Sequence, residues 1–301
     1  MRHIGKPRLL IIGCGDVGQR LLPYLTRYFR VFALTPSPEK VAHLRLHGVI
    51  PIQGDLDQIN SLWRLPHLAP RIVHLAPPQS TGLEDRRTRN LLAILSQGSS
   101  FIRQLVYIST TGVYGDHGGA WVNECTVPTP GTARAKRRVS AETRLRAWGI
   151  AHQVGISILR VPGIYAHDRL PLERIRHRTP ALQDSEDVFT NHIHADDLAR
   201  IIFHALFKAK NQRLINVCDE SDMKMGEYFD AVANTHGLPP VPRVTRVELL
   251  EQVEPMLASF MSESRRMRGD RIKELRVGLQ YPTVNDYLAF TSKYLSNQRS
   301  D

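Results

Sequence analysis

The sequence has few cysteines, no long hydrophobic run and no internal repeat. Its three cysteines, Cys14, Cys125 and Cys218, are far apart and form no Cys-x-x-Cys pair. Because the cysteines are few and odd in number, they argue against a disulfide framework and against a zinc knuckle, and no metal site is predicted. No apolar stretch approaches the length of a membrane span, and the run from Leu9 to Ile12 is too short for a signal sequence. We therefore expect a cytoplasmic protein that does not associate with membranes.

Positive charge is in excess, but no nucleic-acid-binding motif accompanies it. The 301 residues include 40 Lys and Arg against 29 Asp and Glu, which gives a net charge of +11. The basic residues are spread along the chain, without a helix-turn-helix, zinc finger or RNA-binding signature. We therefore predict no nucleic-acid partner and expect most of this charge on the solvated surface.

Short apolar runs alternate with helical patterns along the chain. The predicted strands cover 8–12, 31–34, 49–53, 72–75, 105–109, 157–160 and 214–217, and the predicted helices cover 16–29, 39–46, 88–95, 136–147 and 195–209. This alternation predicts an α/β fold with a Rossmann-type, doubly wound parallel sheet. Residues 1–165 are expected to form the dinucleotide-binding domain. Residues 166–301 should form mainly a smaller C-terminal substrate lobe, with about 190–217 returning to the sheet.

A glycine-rich turn directly follows the first predicted strand and opens the first predicted helix. Its glycines, Gly13, Gly15 and Gly18, have the spacing G-x-G-x-x-G. The first permits a tight turn, the second lets the backbone approach a pyrophosphate, and the third allows close packing of helix on strand. The start of the helix supplies N–H groups and a positive dipole for phosphates. The turn therefore predicts a nicotinamide dinucleotide site, with Asp16 and Val17 as further contacts.

The end of the second predicted strand bears on the choice between NAD and NADP. An acidic residue there binds the ribose 2′-hydroxyl of NAD, and an arginine accommodates the 2′-phosphate of NADP. This chain has neither between Leu34 and Pro38. The missing acid removes repulsion against a phosphate, and Thr35 and Ser37 could hydrogen-bond to one. NADP is thus preferred as the cofactor, and NAD stays open.

Further motifs follow the glycine turn in a characteristic order. They are Gly54-Asp55-Leu56, His74-Leu75-Ala76-Pro77, Ser109-Thr110-Thr111-Gly112-Val113-Tyr114-Gly115, Trp121-Val122-Asn123-Glu124, the stretch 159–165 and the stretch 192–198. Together they resemble the extended short-chain dehydrogenase/reductase superfamily, in its NAD-dependent epimerase/dehydratase branch. The resemblance implies cofactor contacts from Asp55, Leu56, Leu75 and Ala76, although Asp55 could equally be a turn residue at a strand end. Members of this family often dimerise, so a homodimer is a further expectation.

The resemblance breaks at the residues that perform the family's chemistry, which are a Ser or Thr, a Tyr and a Lys. Thr110 falls on the first position. The family places Tyr, Lys and Glu four, eight and twelve residues after a proline; here Pro130 and Glu142 fit, but Arg134 and Arg138 occupy the inner positions. Arginine stays protonated in proteins and cannot exchange a proton near neutral pH. Arg138 could keep the lysine's contact to the nicotinamide ribose, whereas Arg134 cannot replace the tyrosine.

This departure places the chain among the atypical members of the superfamily and leaves two functions open. The first is an oxidoreductase or epimerase that acts on a carbonyl or hydroxyl of a sugar-nucleotide-like or small polar substrate, with Thr110 orienting the oxygen. The second is a non-catalytic dinucleotide-binding sensor or scaffold, in which Thr110 only caps a strand end. Whether the chain is an enzyme therefore stays undecided at this level.

The remaining candidates have competing interpretations. The basic run Arg134, Lys136, Arg137 and Arg138 is either a clamp for an anionic group of the substrate or a solvated face of a helix. Tyr114 and Tyr165 are expected to be structural. Alternate residues at His192, His194 and Asp196 share one face of a strand, but we expect a strand-to-helix junction there, with the aspartate capping the helix, and no metal. A proline- and arginine-rich stretch at 162–180 leads into the expected lobe.

Overall fold

The computed structural model of the chain describes residues 5–253, 258–259 and 261–298. Its centre is a sheet of seven strands, namely β1 (Arg8–Ile12), β2 (Arg30–Thr35), β3 (Ile50–Gln53), β4 (Arg71–His74), β5 (Gln104–Thr110), β6 (Gly155–Val161) and β7 (Arg213–Asn216). Their spatial order is β7-β6-β5-β4-β1-β2-β3, and all neighbours are parallel. The predicted Rossmann-type sheet is confirmed.

Helices cover both faces of this sheet. They are α1 (Asp16–Tyr28), α2 (Lys40–Leu46), α3 (Arg86–Leu95), α4 (Ala133–Ala151) and α6 (Ala195–Lys208). The other helices, α5 (Leu172–Arg176), α7 (Met225–Thr235), α8 (Arg246–Gln252) and α9 (Val284–Gln298), pack in a separate cluster. Successive side chains of a strand point to opposite faces. Leu9 and Ile11 therefore pack with α1 and α6, whereas Leu10 and Ile12 pack with α3 and α4. Because both faces are covered, the strands read as continuous apolar runs.

Helix α4 is longer than predicted and begins three residues earlier than the expected start at 136. The Thr132 side chain caps it by accepting a hydrogen bond from the Ala135 N–H at 3.2 Å. Such a cap satisfies one of the free N–H groups at a helix start. The earlier start places Arg134 in the first turn of α4, one turn before Arg138.

The segments after Tyr165 build a smaller hydrophobic cluster beside the carboxyl ends of the strands. Helices α5, α7, α8 and α9 contribute to it, through residues such as Ile175, Phe229, Leu249 and Leu288. Four short strand pairs complete the structure: Gly163–Tyr165 with His192–His194, Phe189–Thr190 with Met223–Lys224, Ala181–Leu182 with Arg243–Val244, and Trp121–Val122 with Arg266–Met267. The division into domains near residue 165 stays a prediction. Within the described part of the chain, no helix combines the length and apolar character of a membrane span.

Candidate functional site

A cleft of about 560 Å³ opens at the carboxyl ends of β1, β2 and β4. Its lining consists of the glycine turn, the end of β2, the end of β4 and single residues from other segments: Gly13, Cys14, Gly15, Asp16, Val17, Gly18, Leu34, Thr35, Pro36, Lys40, Leu75, Ala76, Pro77, Ile164 and Arg169. The cleft lies between β1 and β4, where the order of the strands reverses. This switch point is where open parallel sheets bind ligands. We call it the first cleft.

The glycine turn has the geometry that a dinucleotide requires. Gly13 has a φ of +87°, and a Cβ there would lie 2.7 Å from the backbone nitrogen of Ala76. Gly15 is the N-cap of α1 and offers no side chain to the free N–H groups of the helix. A Cβ on Gly15 would meet no atom within 4 Å, so open space lies in front of the helix start. A phosphate can occupy such a place, and the turn therefore fits a pyrophosphate.

Thr35 lines the first cleft at the end of β2, Ser37 is not among the lining residues, and their hydrogen bonds to a 2′-phosphate stay a prediction. The Thr35 hydroxyl accepts a hydrogen bond from the Ser37 N–H at 3.2 Å and donates one to the Ser37 carbonyl at 3.4 Å, which closes a local turn. The positive charge at this end of the first cleft comes from Lys40, the first residue of α2. Sequence reasoning missed Lys40, although a basic residue at the start of the helix after β2 was a visible signal.

The other predicted cofactor contacts divide into two pairs. The N–H groups of Leu75 and Ala76 both donate to the carbonyl of Ile12, at 2.8 and 2.9 Å, and thereby hold the end of β4 against the glycine turn. Asp55 and Leu56 are not among the residues that line the first cleft. The Asp55 carboxylate accepts a hydrogen bond from the Asp57 N–H at 2.9 Å, as a turn aspartate does. Its contact to an adenine stays a prediction.

A network of charged side chains closes the rim of the first cleft. Arg20 donates to Asp16 at 3.1 Å, to Asp168 at 2.6 Å and to Asp196 at 3.0 Å. Arg169 donates to the second oxygen of Asp16 at 2.7 Å. Asp16 is therefore neutralised from two sides, which lessens its repulsion of phosphates in the same cleft. Arg169 belongs to the arginine-rich stretch, whose place beside α1 no local pattern could reveal.

A second cleft, of about 300 Å³, adjoins the first. The strand Gly163–Tyr165 separates the two, because Gly163 lines the second cleft and Ile164 lines the first. The charged and polar side chains of the second cleft come from β5, α4, α5 and later loops, namely Thr110, Arg134, Arg174, Thr190, Asn191, His192, Glu263 and Arg265. Sequence reasoning predicted only Thr110 and Arg134 at a reactive site.

Thr110 and Arg134 lie on the wall of the second cleft that faces the sheet. The Thr110 hydroxyl accepts a hydrogen bond from the Gly112 N–H at 3.3 Å. Thr110 therefore makes a local cap and also lines the cleft, and its role in orienting a substrate oxygen stays a prediction. Burial lowers the pKa of Arg134, and the nearby carboxylate of Glu263 partly offsets this effect. Arg134 thus presents a half-buried positive charge where the family has its tyrosine.

Arg138 points toward the sheet. Its Nη1 donates to the Tyr107 hydroxyl and to the Ile108 carbonyl, both at 2.9 Å, and Arg138 is not among the residues lining either cleft. Beside it lies the buried ring of His74, which is 3.1 Å from the Thr88 hydroxyl. Burial lowers the pKa of His74 to about 4, so its ring is neutral next to the guanidinium. The ribose contact expected of Arg138 stays a prediction.

The basic run on α4 does not form one clamp. Arg137 is buried and donates to the carbonyl of Gly82 at 2.6 Å, whereas Lys136 is exposed to solvent. Residues two apart on a helix face different directions, which explains why the four charges diverge. Only Arg134 of this run lines the second cleft.

Glu142, the last position of the family pattern, anchors α4 to the sheet. Its carboxylate accepts hydrogen bonds from the Ser109 hydroxyl at 2.6 Å and from Arg160, whose Nη2 lies at 2.6 Å. The same guanidinium lies over the ring of Tyr114, at 4.6 Å from its centre. The Tyr114 hydroxyl donates to Asn216 at 2.8 Å. Tyr114 is therefore a buried packing residue, as expected.

The junction between His192 and Asp196 corrects one expectation. The cap of α6 is His194, whose Nδ1 accepts a hydrogen bond from the Asp196 N–H at 3.2 Å. The predicted aspartate cap is wrong, because α6 begins at Ala195 and Asp196 already belongs to its first turn, where it pairs with Arg20. Among the residues with described positions, no group of side chains could hold a metal ion. Burial lowers the pKa of His192 to about 3, so the ring that lines the second cleft is neutral.

Three solved structures share the arrangement of this chain. A conserved protein of unknown function from Silicibacter pomeroyi is 28% identical, with a TM-score of 0.81 over 96% of this chain and 99% of that one. A dTDP-glucose 4,6-dehydratase from Bacillus anthracis, in complex with NAD, is 17% identical with a TM-score of 0.76 over 97% of each chain. A UDP-glucose 4-epimerase from Thermotoga maritima, with UDP-glucose, is 16% identical with a TM-score of 0.76 over 97% of this chain and 99% of that one.

The two enzymes show likeness of fold alone at these identities. No curated protein matches the chain in sequence. A family model does, over residues 9–218, which include the glycine turn and all seven strands of the sheet except the first residue of β1. The resemblance seen in the sequence is thereby confirmed, and the chain belongs to the NAD-dependent epimerase/dehydratase family.

Proposed function

We propose that the chain is an NADP-dependent oxidoreductase or epimerase that acts on a carbonyl or hydroxyl carbon of a small polar substrate. The observation that supports this proposal is the junction of the two clefts. The glycine turn lines one cleft, Thr110 and Arg134 line the other, and consecutive residues of one strand, Gly163 and Ile164, border both. A cofactor and a substrate bound in adjacent clefts would meet there.

The residues of the first cleft fit a nicotinamide dinucleotide. Gly15 leaves space before the start of α1, where free N–H groups would hold the pyrophosphate. Leu75 and Ala76 would contact the rest of the cofactor along the end of β4. When bound, the nicotinamide supplies a group that accepts or donates a hydride.

Lys40 supports the preference for NADP. It is exposed and lines the first cleft together with Thr35 and Pro36, at the end of β2 where the 2′ position of the adenosine ribose lies in this fold. A flexible ammonium group there would attract a 2′-phosphate. Among the described residues that line this end of the cleft, none has an acidic side chain to favour a 2′-hydroxyl instead.

Thr110 and Arg134 would act on the reacting oxygen. Because the Thr110 hydroxyl accepts its local hydrogen bond, it can donate its own proton to a substrate oxygen. Arg134 cannot exchange a proton, but its fixed charge would stabilise negative charge that develops on that oxygen. Stabilisation of an oxyanion by a charged donor would replace part of the tyrosine's contribution, and water would supply the proton.

A non-catalytic dinucleotide-binding protein is the second candidate, and the position of Arg138 favours it. Its guanidinium is bound to Tyr107 and to the backbone of β5, as in a structural residue. On this view the first cleft binds NADP(H) tightly, and no redox change follows.

Two measurements separate these functions. The first is calorimetric titration with NAD, NADH, NADP and NADPH, where the proposal expects binding and preference for the phosphorylated pair. Failure to bind any of the four would refute both candidates. The second follows nicotinamide absorbance with a panel of small carbonyl and hydroxyl compounds. Turnover that is lost in Thr110→Val supports the enzyme, whereas tight binding without turnover across the panel supports the sensor.

A further inference from the structure

We propose that the second cleft is a site for a compact anion, a small molecule with one carboxylate or phosphate group, and that Arg174 is its principal contact. This inference rests on the proposed function, because it names the substrate class of the same cleft. The three observations behind it are a half-buried arginine that forms no ion pair among the described residues, the charge balance of the lining and the size of the cavity.

Arg174 projects from α5 into the second cleft with its hydrogen bonds incompletely used. Its Nη2 donates to the carbonyl of Pro180 at 2.9 Å, and its guanidinium lies over the ring of Phe229, 4.2 Å from the centre. Its Nε is buried and has no hydrogen-bond partner in the described structure. Burial lowers the pKa of Arg174 to about 10, so the group still bears its charge at neutral pH.

Some other arginines of the molecule are paired with carboxylates, although the buried Arg137 donates instead to the carbonyl of Gly82 at 2.6 Å. Arg160 pairs with Glu142 at 2.6 Å, and Arg265 pairs with Glu263 at 2.9 Å. Arg174 takes part in none of the ion pairs found among the described residues. A charge withdrawn from water without a counter-charge is costly, and side chains in this state are typical of functional sites. An anionic ligand group would offset that cost.

The other charged side chains that line the second cleft are also mainly positive. Arg134, Arg174 and Arg265 line this cleft together with Glu263, the one acidic side chain among its described lining residues. The formal excess is two positive charges in a concave site, which concentrates the field on an anion. His192 adds no charge because burial keeps its ring neutral, but its Nδ1 is buried without a hydrogen-bond partner among the described residues. It is therefore able to hydrogen-bond to a hydroxyl or carbonyl of the ligand.

The cavity volume limits the size of the ligand. About 300 Å³ is the lower end of the range for small-molecule sites. Phe189 and Tyr228 supply apolar walls of this cavity. A nucleotide sugar combines a base, a ribose, a diphosphate and a second sugar, so it exceeds such a space. A small hydroxy or oxo compound with one anionic group fits both the charge and the volume.

Matched pairs of anionic and neutral probes test this inference. The full chain is titrated calorimetrically with lactate and lactamide, with glycerol phosphate and glycerol, and with UDP-glucose, each in the presence and absence of NADP. The variants are Arg174→Gln, Arg174→Lys and, as a control on the same helix, Arg176→Gln, which is exposed and paired with Glu173. Thermal unfolding shows which variants are folded.

We expect at least one anion of a pair to bind at least tenfold more tightly than its neutral partner. Arg174→Gln should weaken that binding by about 10- to 100-fold, Arg174→Lys should weaken it less, and Arg176→Gln should leave it unchanged. Whether lactate or glycerol phosphate binds better distinguishes carboxylate from phosphate.

Three results would overturn the inference: no binding of either anion, equal binding of the neutral partners, or a folded Arg174→Gln protein with unchanged anion affinity. Tighter binding of UDP-glucose than of both small anions would also overturn it. If NADP fails to bind while an anion still binds without it, the proposed function fails and the anion site remains.

Discussion

The two clefts meet at one edge of the sheet but are built from different parts of the chain. The first consists mainly of backbone, from the turn at Gly13 to the N–H groups that hold Ala76 on β1. The second consists of side chains, among them Arg134 and Arg174, from segments that are distant in sequence. A site built from backbone defines a general ligand, a dinucleotide, whereas a site built from side chains defines the particular substrate. A substitution in one cleft should therefore impair that cleft and leave the other unaffected.

The largest effect should come from Gly13→Ala. Its left-handed φ and the approach of a Cβ to 2.7 Å from the Ala76 backbone both oppose the change, because β4 must move. We expect a loss of about 4 kcal/mol in the free energy of unfolding, measured by urea denaturation, together with loss of dinucleotide binding. Gly48→Ala is the matched control, since its φ is +72° but no atom lies within 4 Å. It should cost only about 1 kcal/mol, and equal losses in the two variants would contradict the close approach.

The next largest loss in the free energy of unfolding is expected for Glu142→Gln. This variant tests whether α4 is held on the sheet independently of the glycine turn. The change leaves Arg160 buried without its counter-charge, and removal of one partner of a buried pair costs about 3 kcal/mol or more. The exposed pair of Glu84 with Arg144 offers a control, because Glu84→Gln should cost less than about 1 kcal/mol. Urea denaturation measures both. A Glu142→Gln protein as stable as Glu84→Gln would show that the buried pair does not anchor α4.

The difference between a backbone site and a side-chain site also determines how much of the molecule could be predicted from the sequence. The sheet was predictable because each strand is a local apolar run, and β1 was placed at Arg8–Ile12 as observed. The glycine turn was predictable because its spacing is combined with a place between the first apolar strand and the first helix. The start of α4 was placed too late, since the cap at Thr132 precedes the basic residues that suggested the helix.

The second cleft could not be assembled in the same way. Arg174 and Arg265 approach Arg134 only through the packing of the lobe, and single-sequence patterns do not contain such long-range contacts. Lys40 is a different case, because it lies five residues after Thr35 and could have been recognised as a basic residue at the end of β2. Apart from Lys40, what was missed follows a physical rule: local backbone signals survive in the sequence, whereas convergence of distant side chains does not.

Gly15→Ala should separate binding from folding within the first cleft. A Cβ there meets no protein atom within 4 Å, so we expect the free energy of unfolding to change by less than about 1 kcal/mol. The added methyl group would occupy the space before α1, and NADP affinity should fall about tenfold or more by calorimetry. Gly278→Ala, equally unobstructed and outside the cleft lining, should leave affinity unchanged. Unaltered affinity in Gly15→Ala would place the pyrophosphate elsewhere.

The smallest expected effect is a change in cofactor affinity at Lys40. This residue contributes a side chain to a cleft that consists mainly of backbone. If its ammonium group recognises the 2′-phosphate, Lys40→Ala should lower NADP affinity about tenfold and change NAD affinity less than twofold. Lys208→Ala, an exposed lysine at the end of α6, is the control for net charge. Because Lys40 is exposed, the difference between the two cofactors should shrink as salt is raised. A parallel fall in NAD and NADP affinity would mean that Lys40 acts on a part common to both cofactors, and the choice between them would then have to lie in the backbone after β2.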